Sequence, residues 1–160
     1  MSHEDYIRLA IQAARESEGE GGIAIGAVLV KNGKVVATGK SFANREKDPS
    51  DHAEVNGIRK AGKKLNTIDL DNCILYSTLE PCTMCVSCTA WANVPKVYFG
   101  AYRTDVPENA YEINGDYSSK QFAQSTQRWD GQPLQIQGGI LRQECKELLA
   151  GYKNWQKEQD

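Results

Sequence analysis

Ile23-Ala24-Ile25-Gly26-Ala27-Val28-Leu29-Val30-Lys31-Asn32-Gly33-Lys34-Val35-Val36-Ala37-Thr38 is the stretch that decides the fold. Residues 23–30 form an apolar run rich in β-branched side chains, Asn32-Gly33 is a strong two-residue turn signal, and residues 35–38 return as the paired strand. The sheet therefore begins with an antiparallel hairpin. Upstream, residues 5–17 place Ile7, Ala10, Ile11 and Ala14 at helical spacing, with Ser2 or the residues just after it as cap and Gly19 to Gly22 as the stop. Downstream, a polar loop over residues 41–50, broken by Asp48-Pro49, leads into a helix from about His52 to Lys64. Residues 73–79 read as a strand, 82–93 as a helix and 97–101 as a strand.

Residues 102–131 are polar and irregular, with Pro107, Asn114-Gly115 and Ser118-Ser119. A segment of this length without regular structure is more often a functional loop than a linker. Residues 134–137 suit a short last strand, and Ile140, Leu141, Cys145, Leu148, Leu149 and Tyr152 mark a C-terminal helix. Helices alternating with short strands after a hairpin imply a mixed sheet covered by helices, an α/β layered architecture. There is no internal repeat, and 160 residues suit a single domain with a substantial core.

Composition narrows the function classes. A hydrophobic content of 40%, a charged content of 25% and a net charge of −2 describe an ordinary globular protein without a general excess of positive charge for polyanions. The charge is uneven: residues 31–64 hold nine Lys or Arg against four Asp or Glu, and the first twenty residues hold five acids against two bases. The start lacks the basic and apolar pattern of a secretory signal, and no stretch has the roughly 18 apolar residues of a membrane span, so the expected compartment is the cytoplasm. Five cysteines, two of them in a Cys-x-x-Cys, suit a reducing compartment better than a disulfide framework. Cys73 and Cys145 read as buried thiols.

The chemistry lies in His52-Ala53-Glu54 and Pro81-Cys82-Thr83-Met84-Cys85. One histidine and two cysteines are three zinc ligands, one short of the four that close a structural site, and the open position implies a catalytic metal. Cys82 and Cys85 share one face of a helical turn, and Pro81 suits a helix start. The partial positive charge of that helix end, with the metal, favours both thiolates. In mid-helix, His52 and Glu54 would point about 200° apart, but in a first turn, where side chains lean back toward the N-terminus, both can reach a metal beyond the helix end.

Each residue also has a plain structural reading. Asp51-x-x-Glu54 resembles a capping box, in which the Glu54 carboxylate only satisfies a backbone N–H. His52 alone is more often a satisfied structural histidine. The joint occurrence favours catalysis, because His-x-Glu with Pro-Cys-x-x-Cys is the signature of zinc nucleobase deaminases, whose glutamate is a general acid/base and not a ligand. Cys88 extends the spacing to Cys-x-x-Cys-x-x-Cys and invites a fourth zinc ligand or an iron–sulfur cluster. It lies a turn farther from the helix end, so a small buried residue is expected. His3, the other histidine, falls in a terminus expected to fray and is a poor ligand.

On these residues the chain resembles the cytidine-deaminase-like superfamily, in the branch that holds guanine deaminase, fungal-type cytosine deaminase and bacterial tRNA adenosine deaminase. The likeness includes Gly26 to Val30, Asp48-Pro49-x-x-His52-Ala53-Glu54 and Glu80-Pro81-Cys82-Thr83-Met84-Cys85. It implies a three-layer α/β/α fold with a five-stranded mixed sheet, a homodimer, Zn²⁺ held by His52, Cys82 and Cys85, and Glu54 as the proton carrier. It also implies that backbone N–H groups around Ala53 and Cys82 help hold the attacking oxygen and the base. Asn44, in the loop before His-x-Glu, is the candidate to hydrogen-bond the base, and Asp105 in Tyr102-Arg103-Thr104-Asp105 is the candidate to recognise a purine. Residues 110–116 depart from the Gly-Phe-Asp-Asp of guanine deaminases, whereas Gly138 to Cys145 look more like the end of tRNA adenosine deaminases.

A free base, guanine or cytosine, or a nucleoside is the expected substrate, because the chain is slightly acidic and its C-terminal region has no concentrated basic arm. Phe122, Trp129, Tyr152 and Trp155 are candidates to stack on a ring, although core or dimer packing explains aromatics more often. tRNA editing is the alternative, argued by the basic stretch of residues 31–64. A zinc-stabilised binding module without turnover is the third reading, opposed by the presence of Glu54.

Overall fold

The computed structural model describes residues 1–107 and 118–153. In it β1 (Ile23–Lys31) and β2 (Lys34–Ser41) pair antiparallel across Asn32 and Gly33, whose φ angles are 50° and 75°. Both central residues of such a tight turn need positive φ, which Asn and Gly tolerate best. α1 (His3–Gly19) precedes the hairpin and is closed by a capping box in which Ser2 and Asp5 exchange bonds. Then come α2 (Ala43–Glu46), α3 (Ala53–Leu65), β3 (Cys73–Leu79), α4 (Thr83–Trp91) and β4 (Lys96–Ala101). A 3-10 turn at Arg103–Asp105, α5 (Ser119–Gln124), β5 (Gln135–Gln137) and α6 (Arg142–Gly151) complete the order.

The five strands form one mixed sheet in the order β2-β1-β3-β4-β5. β1 is antiparallel to both β2 and β3, whereas β3, β4 and β5 run parallel. Alternation along the strands builds two cores. Ala27, Leu29 and Leu75 face α3 and α4 on one side, while Val28, Val30 and Tyr76 face α1 and α6 on the other. The same parity puts Ser77 of β3 on the α3 side, which matters for the site. No helix among the described residues is long and apolar enough to cross a membrane.

Two glycines let helices lie close on the sheet. A Cβ on Gly26 would sit 2.2 Å from the Ala10 carbonyl oxygen of α1, and one on Gly39 would sit 1.9 Å from the Ala53 carbonyl oxygen of α3. Ala53 directly follows His52, so β2 itself sets the height of the helix end that carries the chemistry. Gly39→Ala is expected to cost about 1 to 3 kcal/mol by overpacking and to weaken zinc retention. Denaturant unfolding and the zinc content of the purified protein check this; an unshifted midpoint with full metal refutes it.

Two expectations are corrected here. His3 is not frayed: it opens α1, its Nδ1 lies 2.8 Å from the Tyr76 hydroxyl, and its ring packs, tilted by 33°, against that of Tyr98 at 4.1 Å. The stretch read as irregular between residues 102 and 131 contains the 3-10 turn and α5. Residues 110–116 and Trp155 lie outside the described residues.

Candidate metal centre and active site

The starts of α3 and α4 meet at the site, and its candidate ligands come from their caps and the first turn of α4. His52 and Cys82 are the N-cap residues of these helices, both extended, with ψ of 156° and 169°, and neither side chain caps its own helix. An N-cap side chain normally turns back to accept a backbone N–H. Imidazole and thiol here turn toward each other instead. Cys85, fully buried in the first turn of α4, is the third member.

The three donor atoms are mutually close. His52 Nδ1 lies 3.6 Å from each of the Cys82 and Cys85 sulfurs, and the two sulfurs are 3.5 Å apart. A tetrahedral ion with bonds of about 2.3 Å to sulfur and 2.0 to 2.1 Å to nitrogen separates its ligands by about 3.8 Å for S···S and 3.6 Å for S···N. The donor set therefore fits zinc in kind and in spacing. It is the only group of this sort among the described residues. Cys88 stands outside it, half-buried at the edge of the core, so among the described residues no fourth protein ligand closes the site.

Charge is shared within the triad. The hydrogen bond shared with Cys85, aided by His52, pulls the Cys82 thiol down to about 4. The same sharing, with burial, pushes Cys85 well above the ordinary thiol range, and the bond to Cys82 raises His52. Two helix N-termini add partial positive charge that favours thiolate.

Glu54 is no capping residue. The Asp51 carboxylate binds Asn56 and Arg59, and Glu54, at 3% exposure, lies inside the site. Its Oε1 accepts from the Ser77 hydroxyl at 2.8 Å, and its Oε2 lies 3.4 Å from the Cys85 sulfur. Burial raises its pKa against the opposing pull of His52, so this carboxyl group can hold a proton under milder conditions than an exposed one. Sequence reasoning missed Ser77, and only the strand parity established by the hairpin points to it.

The remaining expectations divide. Asn44 sits half-buried in α2, on a loop closed by the Phe42 N–H donating to the Asp51 carbonyl, and its side chain makes no hydrogen bond among the described residues. Ala53 is fully buried as the first residue of α3. Phe122 and Ser125 face Thr83, Met84 and Ser87 across a groove of about 650 Å³ between α4 and α5, beside the turn that carries Cys82 and Cys85. Tyr152 is instead buried at the end of α6, and Trp129 is half-exposed with its indole N–H on the Trp91 carbonyl.

Asp105 requires a correction. Arg142 of α6 binds both of its oxygens at 2.8 Å, and the Tyr102 N–H binds one of them at 2.9 Å. Its carboxylate clamps the turn after β4 to α6 and is not presented to a purine. The Arg142 bond holds the Asp105 pKa below its ordinary 3.8. A depressed carboxylate pKa means stability that is present above 3.8 and is lost as pH falls through the folded value. Asp105→Asn is expected to lower the melting midpoint by a few degrees at pH 7 and to make that midpoint less sensitive to acid below pH 4. Melting midpoints that fall in parallel for both proteins across that range rule it out.

Comparisons with known proteins agree with this site. Residues 1–101 match the family described as the cytidine and deoxycytidylate deaminase zinc-binding region. The chain is 41% identical over 113 residues to guanine deaminase of Bacillus subtilis, covering 70% of this chain and 72% of the relative. It is 32% identical over 147 residues to the tRNA-specific adenosine deaminase of the same organism, covering 92% and 86%. A solved guanine deaminase from Nitrosomonas europaea superimposes with a TM-score of 0.81 at 22% identity, covering 93% of this chain and 83% of that one, which shows the shared fold. The chain therefore belongs to the cytidine and deoxycytidylate deaminase zinc-binding family, as a zinc-dependent hydrolytic deaminase acting on a nucleobase or nucleoside.

Proposed function

We propose that the chain deaminates free guanine, with water entering at the ring carbon that loses its amino group and ammonia leaving. The observation that carries the choice of a free base over RNA is the state of the basic stretch. Lys40 pairs with Glu16 and Glu20, Arg45 with Glu20 and Glu46, and Arg59 with Asp51. Among the described residues, three of the nine bases that argued for a phosphate backbone are thus matched by acids on the same surface, which weakens the field that RNA binding uses. The guanine deaminase relative supports guanine over cytosine.

His52, Cys82 and Cys85 are the residues that hold zinc, and zinc, when bound, supplies a water acidic enough to lose a proton near neutral pH. Glu54 takes that proton at Oε2 and delivers it to the ring nitrogen beside the attacked carbon, then takes the second proton from the added hydroxyl and passes it to the departing amine, which leaves as ammonia. Ser77 keeps the other oxygen engaged, so Oε2 faces the reaction. Asn44, with its unengaged amide, hydrogen-bonds the base, and the Ala53 N–H at the start of α3 helps hold it. The exposed side chains of Trp91, Trp129 and Ile68 support assembly with a second copy of the chain, and five free thiols support a cytoplasmic setting.

A second reading, tRNA adenosine deamination, is favoured by the reach of that likeness, which extends over 147 residues where the guanine deaminase match spans 113. Ammonia release from guanine, cytosine, adenine, cytidine, guanosine and an adenosine-containing tRNA stem-loop separates them. Turnover of guanine is the expected result, and turnover of the stem-loop alone would transfer the function to RNA.

A further inference from the structure

Glu80 directly precedes Pro81 and the first cysteine ligand, and it is 7% exposed. Its N–H donates to the Ala101 carbonyl at the end of β4. Its carboxylate reaches two separate parts of the chain: Oε1 accepts the Ser119 N–H and hydroxyl, both at 2.8 Å, and Oε2 accepts the Arg103 N–H at 3.1 Å. A buried carboxyl group is costly unless its oxygens are satisfied. These three bonds satisfy it while tying the start of α5 and the turn after β4 to the metal-binding loop.

Ser119 begins the helix that carries Phe122 and Ser125, one wall of the groove whose other wall, Thr83, Met84 and Ser87, belongs to α4. Thr83 and Met84 lie between the two cysteine ligands. Beside the core packing of Ala123 and Phe122, this one carboxylate therefore links the Phe122 wall to the loop that carries Cys82. We propose that Glu80 is a positioning residue that sets α5 against the metal-binding turn and so fixes where the substrate ring is held, without itself touching the substrate. The proposal rests on the deaminase reading of the site.

The two oxygens allow a graded test. In Glu80→Gln the amide oxygen can still accept from Ser119, but its NH₂ meets the Arg103 N–H donor to donor. Glu80→Ala loses both anchors. In zinc-loaded protein, KM for the substrate that wild type turns over should rise about 5-fold in Glu80→Gln and about 50-fold in Glu80→Ala. Over the same series kcat stays within about threefold, the pattern of lost binding and not of lost transition-state chemistry. Zinc remains at one per chain, and hydrogen exchange at the Arg103 and Ser119 amides accelerates at least about tenfold in Glu80→Ala. Ser119→Ala keeps the backbone bonds and should change KM less than about twofold, and Glu80→Gln, which preserves volume, decides the question if Glu80→Ala does not fold.

Faster exchange with unchanged KM would reduce Glu80 to a fold-stabilising residue and overturn the proposal. So would a parallel loss of kcat and zinc, which would make it part of the metal site. A wild-type chain inert toward every substrate shows itself before any variant is compared. It would remove the deaminase reading, and the positioning role with it.

Discussion

Glu54→Gln is expected to lower kcat for ammonia release by about 10³-fold, within the range that a positioned acid/base contributes, while the protein stays folded and keeps its zinc. The substitution preserves volume, and its amide oxygen can still accept from the Ser77 hydroxyl, so neither packing nor orientation explains a loss. What disappears is the ability to take a proton at Oε2, the oxygen beside the sulfur ligand. Both proton transfers of the proposed reaction pass through that one atom. KM should change little, because the amide fills the same space as the carboxylate. Ser77→Ala should give a milder fall in kcat, about tenfold, since the carboxylate remains and only its aim is relaxed. Glu54→Gln protein that retains a tenth or more of wild-type kcat would show that the proton travels by another route.

The legible and the illegible parts of this chain divide by the range of the interactions behind them. The Asn32-Gly33 turn, the β3 boundaries at Cys73 and Leu79, and the cluster of His52, Cys82 and Cys85 are written locally, in turn chemistry and motif spacing. α2 and α5 were missed because four and six residues are too short to display a helical period. Asp105 was misread because its partner, Arg142, lies 37 residues away, and only folding brings α6 beside the turn after β4. His3 was misread for the same reason, since Tyr76 and Tyr98 on the sheet hold it. The apparent conflict of His52 and Glu54 on one helix disappears once His52 is the cap: it lies outside the helical rotation, so the separation of about 200° never applies.

Cys85→Ser is expected to remove the zinc and, with it, all measurable turnover. The change replaces one sulfur atom with oxygen at a site with 0% exposure, so the two cores on either side of the sheet lose almost nothing in packing. The ligand chemistry changes far more. An alcohol does not ionise near neutral pH and is a harder donor than the thiolate that zinc accepts so readily. Only His52 and Cys82 then remain as strong ligands, and an affinity loss well beyond the roughly 10- to 100-fold that outer-shell changes cause is expected. Zinc content after dialysis should fall to background while far-UV circular dichroism is retained, which separates metal loss from unfolding. Cys88→Ser is the matched control, because Cys88 is one turn farther along α4 and stands outside the triad. That protein should keep one zinc per chain and its full rate. If Cys85→Ser retains stoichiometric zinc, or if Cys88→Ser loses it, the three-ligand assignment is wrong, and with it the open coordination position on which the hydrolytic reading depends.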